Sequence, residues 1–147
     1  MKWLRSGPML LLYCIGAMAI AHRWLSCYNS IAFPWNLTGI LISWAGFEIM
    51  EKARRSLKKY NTSTGYEAPT ALVTEGIYNN TRNPIYLGMI ILLLGLAVVF
   101  QNFLSVLIPA SLFFYLHFTE IPKEEEQMEE LFGDRYLEYR NQVRRWI

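Results

Sequence analysis

The sequence predicts a single all-α domain of 147 residues, a polytopic membrane protein with about four transmembrane helices. Hydrophobic residues make up 53% of the chain and charged residues only 18%, below the roughly 25% that is usual in soluble domains. The charges are also clustered, since residues 24–47 and 83–119 contain no Asp, Glu, Lys or Arg. A soluble domain of this size needs charges on those surfaces, so we expect the two stretches to face lipid.

Two apolar helices are predicted in the first third of the chain. The first spans residues 8–25 and the second spans residues 31–50. Pro34 and Trp35 lie near the start of the second, where proline suits a first helical turn and tryptophan suits a membrane interface. Polar residues follow from 51 to 84, and the first of them are predicted to continue the second helix beyond the membrane face.

A helical hairpin is predicted between residues 85 and 119, which form the longest apolar run of the chain. The pair Gln101-Asn102 interrupts this run, so two short spans, 85–100 and 103–119, fit it best. Pro84, directly before the first of them, suits the opening turn of a helix. Spans of this length are at the low end of what crosses about 30 Å of hydrocarbon.

The polar tail, residues 120–147, is predicted to form an amphipathic helix against the membrane surface or the helical bundle. Gly133 lies inside the amphipathic pattern and predicts a break into two pieces. The apolar residues of the tail recur at three- and four-residue steps: Met128, Leu131, Phe132, Tyr136, Tyr139 and Val143.

The distribution of basic residues predicts the orientation of the chain. In the four-span arrangement, thirteen of the 14 Lys and Arg residues fall on one side of the membrane, and Arg23 falls on the other. The side that is rich in Lys and Arg is normally cytoplasmic. We therefore expect an integral, multi-pass membrane protein with both termini, the 51–84 loop and the 120–147 tail in the cytoplasm.

Metal and nucleic-acid chemistry are not indicated by the sequence. The two cysteines, Cys14 and Cys27, form no Cys-x-x-Cys pair and have no histidine at metal-ligand spacing. The net charge of +2 is small, and the basic residues follow the predicted topology. The expected partners are therefore the lipid bilayer and a small or lipophilic ligand, without metal or nucleic acid.

Two polar segments on the same predicted membrane face carry the richest chemistry, residues 70–88 and the acidic cluster 124–126. Arg82 in the first segment can bind a carboxylate, and a glutamate of the second can bind an ammonium group. The rings of Tyr78 and Tyr86 can contact a purine or a sulfonium. S-adenosyl-L-methionine carries all of these groups, so we expect it to be the cofactor.

The same segments resemble a known family. Residues 72–88, LVTEGIYNNTRNPIYLG, resemble the GxYxxxRHPxYxG signature of the isoprenylcysteine carboxyl methyltransferase family and its phospholipid methyltransferase relatives. Residues 124–147, EEEQMEELFGDRYLEYRNQVRRWI, resemble that family's EExxLxxxFGxxYxxYxxxVxR tail. The order and spacing of the motifs and the hairpin between them match, and the resemblance covers residues 70–147. It implies a membrane methyltransferase that uses S-adenosylmethionine.

The resemblance also implies roles for individual residues. The family's motif arginine falls on Arg82, and Glu125 stands beside the cofactor contact Glu124; these two, Arg82 and Glu125, are expected to be catalytic. Glu120 and Arg144 are expected at the substrate site. The family's cofactor contacts fall on ten positions: Thr70, Ala71, Leu72, Val73, Tyr78, Asn83, Pro84, Ile85, Tyr86 and Glu124.

Two positions depart from the family pattern. Asn83 stands where the family usually has histidine, and its amide can hydrogen-bond a cofactor but cannot carry a proton near neutral pH. Glu120 stands where the eukaryotic prenylcysteine enzymes have an arginine, which disfavours a prenylcysteine carboxylate as the acceptor. Arg144 and Arg145 can substitute for that arginine only if the tail folds back.

The expected reaction is an in-line displacement that moves a methyl group from S-adenosylmethionine to a lipophilic or small acceptor. Prenylcysteine-like carboxylates, thiols and phospholipid amines are the acceptor classes, and we expect lateral entry from the bilayer. Two alternatives stay open at this point. One is a membrane reductase of the sterol-reductase class that uses NADPH, and the other is a non-enzymatic membrane scaffold.

Overall fold

The structure, a computed structural model, describes residues 7–24, 31, 33–62 and 69–147, and within these ranges it contains helices and no β-strand. The all-α prediction is therefore confirmed for this part of the chain, while Cys27 lies outside the described residues. The α-helices are α1 (Gly7–Trp24), α2 (Thr38–Lys59), α3 (Pro84–Val99), α4 (Leu107–Tyr115), α5 (Ile121–Phe132) and α6 (Asp134–Gln142).

Three of the four predicted spans agree closely with helical segments, and the second does not. α2 begins at Thr38, after a 3-10 turn at Trp35–Leu37, and not at residue 31 as predicted. Pro34 explains the difference, because a proline disfavours the helical conformation of the residue before it. The predicted helical continuation after residue 50 is confirmed, since α2 runs on to Lys59.

Helices α2 and α3 pack backbone against backbone along four glycines. Gly39 and Gly46 of α2 face Gly95 and Gly88 of α3. A Cβ atom on Gly46 would lie 2.5 Å from the backbone nitrogen of Leu92 and 2.6 Å from the carbonyl oxygen of Gly88. Small residues of this kind let helices approach closely in membranes. We call this contact the glycine seam, and it packs the first half of α2 antiparallel against α3.

The main core lies between α1, α3 and the helical segment that includes α4. Met18 of α1, Met89 and Leu93 of α3, and Leu116 after α4 are fully buried there. Burying side chains of this size stabilises the fold by about 1.5–3 kcal/mol each when the alternative is water. The core therefore holds α1 and α4 onto α3.

α4 and α5 belong to one long helix. A 3-10 turn at Phe103–Val106 leads into α4, and a π turn at Leu116–Glu120 connects α4 to α5. Leu104–Phe132 is the one helix in the described residues that is long and apolar enough to cross a membrane. The apolar helix Pro84–Val99 is shorter. By length and composition the four-span arrangement is not confirmed, and it stays a prediction.

Large apolar side chains lie on the outside of the bundle. Leu41 and Trp44 of α2 are 73% and 63% exposed, and Phe118 in the π turn is 70% exposed. Ile20 and Trp24 of α1 are exposed as well. Apolar groups of this size and number are rare on a water-facing surface and are typical of a surface that binds lipid or protein.

The C-terminal tail forms two helices that meet at Gly133, as predicted. The φ and ψ angles of Gly133 are 53° and −130°, a conformation that glycine adopts easily and other residues do not. Tyr136 and Tyr139 of α6 are buried together with Val143, and they pack against Leu72. The apolar face of the tail therefore covers the polar loop between α2 and α3.

Candidate functional site

The loop between α2 and α3 is held from two sides. Thr62, just after α2, is buried, and its Oγ1 accepts hydrogen bonds from the backbone nitrogens of Thr70 at 3.0 Å and Ala71 at 3.4 Å. On the other side the Tyr139 hydroxyl donates to the carbonyl oxygen of Tyr78 at 2.7 Å. Backbone groups that are paired in this way fix the loop as one wall of a cavity.

The cavity has a volume of about 290 Å³ and lies between the end of α2, this loop, the start of α3, and helices α5 and α6, with the start of α1 at its edge. Small-molecule sites in proteins typically measure roughly 300–1,000 Å³, so this cavity is at the lower end of that range. One side of it is apolar and aromatic, and the other is charged. The lining residues are Pro8, Arg54, Leu57, Thr62, Pro69, Ala71, Leu72, Val73, Tyr78, Arg82, Asn83, Pro84, Ile85, Tyr86, Glu124, Glu125, Gln127, Met128, Tyr136 and Tyr139.

Glu125 is at the centre of the charged side. Its Oε1 lies 3.0 Å from Nη1 of Arg82 and 3.1 Å from Nε of Arg145, and its Oε2 lies 2.6 Å from Nη2 of Arg145. The side chains of Arg82 and Glu125 are only 11% and 12% exposed. Because two guanidinium groups share one carboxylate, the cluster keeps a net positive charge next to the cavity.

The neighbouring Glu124 has a different partner. The Tyr86 hydroxyl donates a hydrogen bond to Oε1 of Glu124, and no ion pair of the described residues includes this carboxylate. On the positive side, Nε of Arg82 is buried without a hydrogen-bond acceptor in the described part of the chain. The cavity thus combines a carboxylate without a cation and a guanidinium with an unused donor.

The tyrosines around the cavity are neutral phenols. Burial raises the pKa of Tyr78 and of Tyr139 well above the ordinary value of a phenol. The pKa of Tyr136 is raised too, mainly by burial and then by the Glu125 carboxylate, while Arg82 opposes the change. All three hydroxyls therefore keep their protons at physiological pH and can donate hydrogen bonds.

Three of the residues that the sequence predicted for the site lie outside the cavity lining. Thr70 is exposed and supports the loop through its backbone nitrogen. Glu120, in the π turn, accepts a hydrogen bond from the Tyr115 hydroxyl at 2.7 Å and lies 3.8 Å from Nζ of Lys123. The side chain of Arg144 is exposed. All the other predicted site residues line the cavity.

Three residues at or beside the cavity were not predicted as site residues from the sequence: Arg145, Tyr136 and Tyr139. Sequence reasoning treated Arg145 only as a substitute for an absent substrate-site arginine, whereas the structure pairs it with Glu125. It interpreted Tyr136 and Tyr139 only as packing residues, although their three-residue spacing puts both on one helix face. Asn83 lines the cavity, and its Nδ2 donates to the carbonyl oxygen of Arg145 at 3.0 Å.

The fold and the site together define an α-helical bundle with apolar outward-facing side chains and a charged, small-molecule cavity at one end. Across the described ranges, no group of three or more His, Cys, Asp and Glu side chains is arranged to hold a metal ion. The sequence profile of phospholipid methyltransferases matches residues 34–135, which is more than half of the chain. The chain therefore belongs to the phospholipid methyltransferase family.

Individual relatives agree with this family. The chain is similar to protein-S-isoprenylcysteine O-methyltransferase A of Arabidopsis thaliana, with 31% identity over 122 residues that cover 83% of the chain and 58% of the relative. It is also similar to the protein-S-isoprenylcysteine O-methyltransferases of Schizosaccharomyces pombe, at 38% over 72 residues, and Saccharomyces cerevisiae, at 32% over 80 residues. These two matches cover 49% and 54% of the chain, and 30% and 34% of the relatives. The chain thus spans less than two thirds of the length of each of these relatives.

Proposed function

We propose that this protein is an integral membrane methyltransferase that transfers a methyl group from S-adenosylmethionine to a lipophilic acceptor at the cytoplasmic membrane face. Family membership and the names of the relatives support methyl transfer. The observation that carries the proposal is the meeting of Arg82 and Glu124 in one cavity, each with bonding capacity left for a ligand.

The charged side of the cavity fits the amino-acid end of S-adenosylmethionine, which carries a carboxylate and an ammonium group. Arg82 has an unused Nε–H and belongs to a cluster with net positive charge, so it suits the carboxylate. Glu124 has no cationic partner among the described residues, and the Tyr86 hydroxyl orients it. It therefore suits the ammonium group.

The uncharged side of the cavity fits the remainder of the cofactor. Leu72, Val73 and Ile85 offer apolar surface for the adenosine, and the ring of Tyr78 lies among them. Aromatic rings stack on flat ring systems and attract cations to their faces, so they suit both a purine and a sulfonium. Arg82, Glu124 and the aromatic, apolar side of the cavity thus match the carboxylate, the ammonium group and the adenosine with its sulfonium, respectively.

The cofactor, when bound, supplies an electrophilic methyl group, and the protein supplies orientation and a dry site. Arg82 and Glu124 bind the two charges of the amino-acid end, and Glu125 keeps the Arg82 guanidinium from rotating. Fixed geometry of this kind lowers the entropic part of the barrier. The apolar wall excludes water, which favours a reaction in which a localised positive charge disperses. A carboxylate or thiolate acceptor needs no base.

The acceptor is proposed to be lipophilic and to enter from the bilayer. The relatives are named for protein S-isoprenylcysteine, a lipidated group. The exposed apolar side chains on α1, α2 and the π turn support a position in lipid. We propose that four spans, built on α1, α2, α3 and α4, cross the membrane. The asymmetric distribution of Lys and Arg supports placing both termini and the cavity on the cytoplasmic side.

Calorimetry on the full chain purified in detergent tests this function. We expect S-adenosylmethionine and its demethylated product, S-adenosylhomocysteine, to bind, and NADPH not to bind. No heat of binding for either sulfur compound at concentrations up to about 1 mM refutes the proposal. Binding of NADPH alone would instead favour a membrane reductase, and binding of none of the three would favour a scaffold.

Two substitutions test the site. Arg82→Ala and Glu124→Gln are each expected to weaken S-adenosylhomocysteine binding about tenfold, because each removes one charge-assisted hydrogen bond to the ligand. Glu129→Gln is the matched control, since Glu129 lies on the same helix but pairs with Arg140 outside the cavity. Thermal unfolding must show that all three variants fold. Wild-type affinity in both cavity variants would show that the ligand is elsewhere.

A further inference from the structure

The last residues of the chain fold back onto the bundle and are tied to it by specific contacts. Val143 is buried beside α6. Nε1 of Trp146 donates to Nδ1 of His117 at 3.1 Å, and the Trp146 ring lies 4.9 Å from the ring of Phe113. We call residues 143–146 the C-terminal clasp, because they join the π turn to the cavity wall.

The backbone of the clasp holds three consecutive residues of the loop before α3. The carbonyl oxygen of Arg145 accepts hydrogen bonds from Oγ1 of Thr81 at 3.2 Å and from Nδ2 of Asn83 at 3.0 Å. The carbonyl oxygen of Arg144 accepts from the backbone nitrogen of Arg82 at 3.1 Å. The position of Arg82 at the cavity is therefore set by the clasp, which lies more than sixty residues further along the chain.

The side chain of Arg145 controls the charge balance at the same place. It binds both oxygens of Glu125, at 3.1 and 2.6 Å, whereas the Nη1 contact of Arg82 to Glu125 reaches Oε1, at 3.0 Å. A two-pronged arginine–carboxylate pair is the stronger of these arrangements. One carboxylate neutralises one guanidinium, so the positive charge that remains belongs chiefly to Arg82.

We propose that Arg145 is a positioning residue: it engages Glu125 so that Arg82 keeps its positive charge for a carboxylate on the bound ligand. This inference rests on the proposed function for the identity of that ligand, S-adenosylmethionine. It goes beyond that function because it assigns a role to a side chain outside the cavity lining. Arg145 acts through Glu125 and Arg82, and it makes no contact with the ligand itself.

The proposal predicts what happens when Arg145 is lost. Glu125 would then have Arg82 as its remaining guanidinium partner in this cluster, and the pair would be neutral. A ligand carboxylate would then approach an Arg82 guanidinium whose charge Glu125 already neutralises, and the Glu125 carboxylate would repel it. Binding should weaken for ligands that carry a carboxylate, and it should change little for ligands that lack one.

The experiment compares two probes by calorimetry on the full-length chain in detergent. S-adenosylhomocysteine carries the amino-acid end, and 5′-methylthioadenosine lacks it. We expect Arg145→Met to weaken S-adenosylhomocysteine binding by about tenfold to a hundredfold and to change 5′-methylthioadenosine binding by less than about twofold. Arg145→Lys should recover most of the affinity because it keeps the charge. Arg140→Met is the matched control, since it removes an arginine from the Glu129 pair outside the cavity.

A double variant separates charge balance from support of the fold. The variant carries both Arg145→Met and Glu125→Gln. The Glu125 carboxylate can then no longer neutralise Arg82, so S-adenosylhomocysteine binding should return to within about threefold of the wild type. The double variant also removes the Glu125 carboxylate that would otherwise lose its Arg145 partner, so it can be measured if Arg145→Met alone does not fold.

The outcomes are distinct. Two results would show that the clasp only supports the structure, and either would overturn the inference. One is that Arg145→Met weakens the binding of both probes equally, and the other is that the double variant does not recover S-adenosylhomocysteine binding. Unchanged binding of S-adenosylhomocysteine in Arg145→Met overturns it as well. If the wild-type protein binds neither probe, the proposed function itself fails.

Discussion

Replacing Gly46 with alanine tests whether the glycine seam keeps the cavity in shape. Gly46 lies on α2 about two helical turns before Arg54, which lines the cavity. Its partner across the seam, Gly88, comes two residues after Tyr86, which also lines the cavity. A change in the spacing of α2 and α3 at this level should therefore change both the stability of the bundle and the shape of the site.

The expected effect of Gly46→Ala follows from the distances. The added Cβ would lie 2.5 Å from the backbone nitrogen of Leu92 and 2.6 Å from the carbonyl oxygen of Gly88, about 1 Å inside ordinary contact. Both neighbours are backbone atoms, so the helices must separate. Overpacking of this kind costs about 1–3 kcal/mol. The better helix propensity of alanine offsets about 1 kcal/mol, leaving about 0–2 kcal/mol of destabilisation relative to the wild type.

The assay is thermal unfolding in detergent, followed by far-ultraviolet circular dichroism. For a chain of this size, the expected loss lowers the apparent midpoint by up to roughly 8 °C. S-adenosylhomocysteine should also bind more weakly, because the cavity spans both helices. Gly16→Ala is the control, since nothing lies within 4 Å of a Cβ at that position of α1. Both variants gain the helix propensity of alanine, so a midpoint for Gly46→Ala equal to that of Gly16→Ala would refute the tight backbone contact.

Two further predictions concern the cavity wall and the acceptor. Tyr139→Phe removes the hydroxyl that donates to the carbonyl oxygen of Tyr78, and the unpaired buried acceptor should cost about 1–3 kcal/mol, measurable as a lower unfolding midpoint. An unchanged midpoint would mean that this bond does not hold the loop. Glu120→Arg replaces a carboxylate near Tyr115 by a cation, so methyl transfer to a prenylcysteine carboxylate should rise at least about threefold relative to transfer to a lipid amine. Methyl-labelled cofactor measures both rates, and an unchanged ratio would place Glu120 away from the acceptor.

Much of the fold could be predicted because helix ends depend on local backbone properties. Pro84 opens α3, and Gly133 divides the tail, since each restricts or frees the backbone at its own position. The start of α2 was wrong by seven residues: the apolar run begins at Ile31, whereas the helix begins at Thr38. Composition shows where a chain is apolar, and it does not show where that apolar chain turns.

The candidate site could be predicted in part. The spacing of Tyr78, Arg82 and Tyr86 in the sequence motif was enough to put these residues on one wall of the cavity. The sequence did not show that the adjacent residues Glu124 and Glu125 have different partners. Neighbouring residues on a helix point about 100° apart, so one carboxylate meets a tyrosine and the other meets two arginines.

The amino-acid sequence alone was sufficient for the all-helical class, most helix boundaries and the family, because periodicity, proline and glycine positions and motif spacing are properties of the linear chain. The packed fold was needed to see that Glu125 is shared between Arg82 and Arg145. Glu125 and Arg145 are twenty residues apart in the sequence. They meet because Val143 and Trp146 pack the C-terminal clasp onto the bundle. Contacts of this kind depend on how several helices bury their surfaces at once, which no single stretch of the sequence contains.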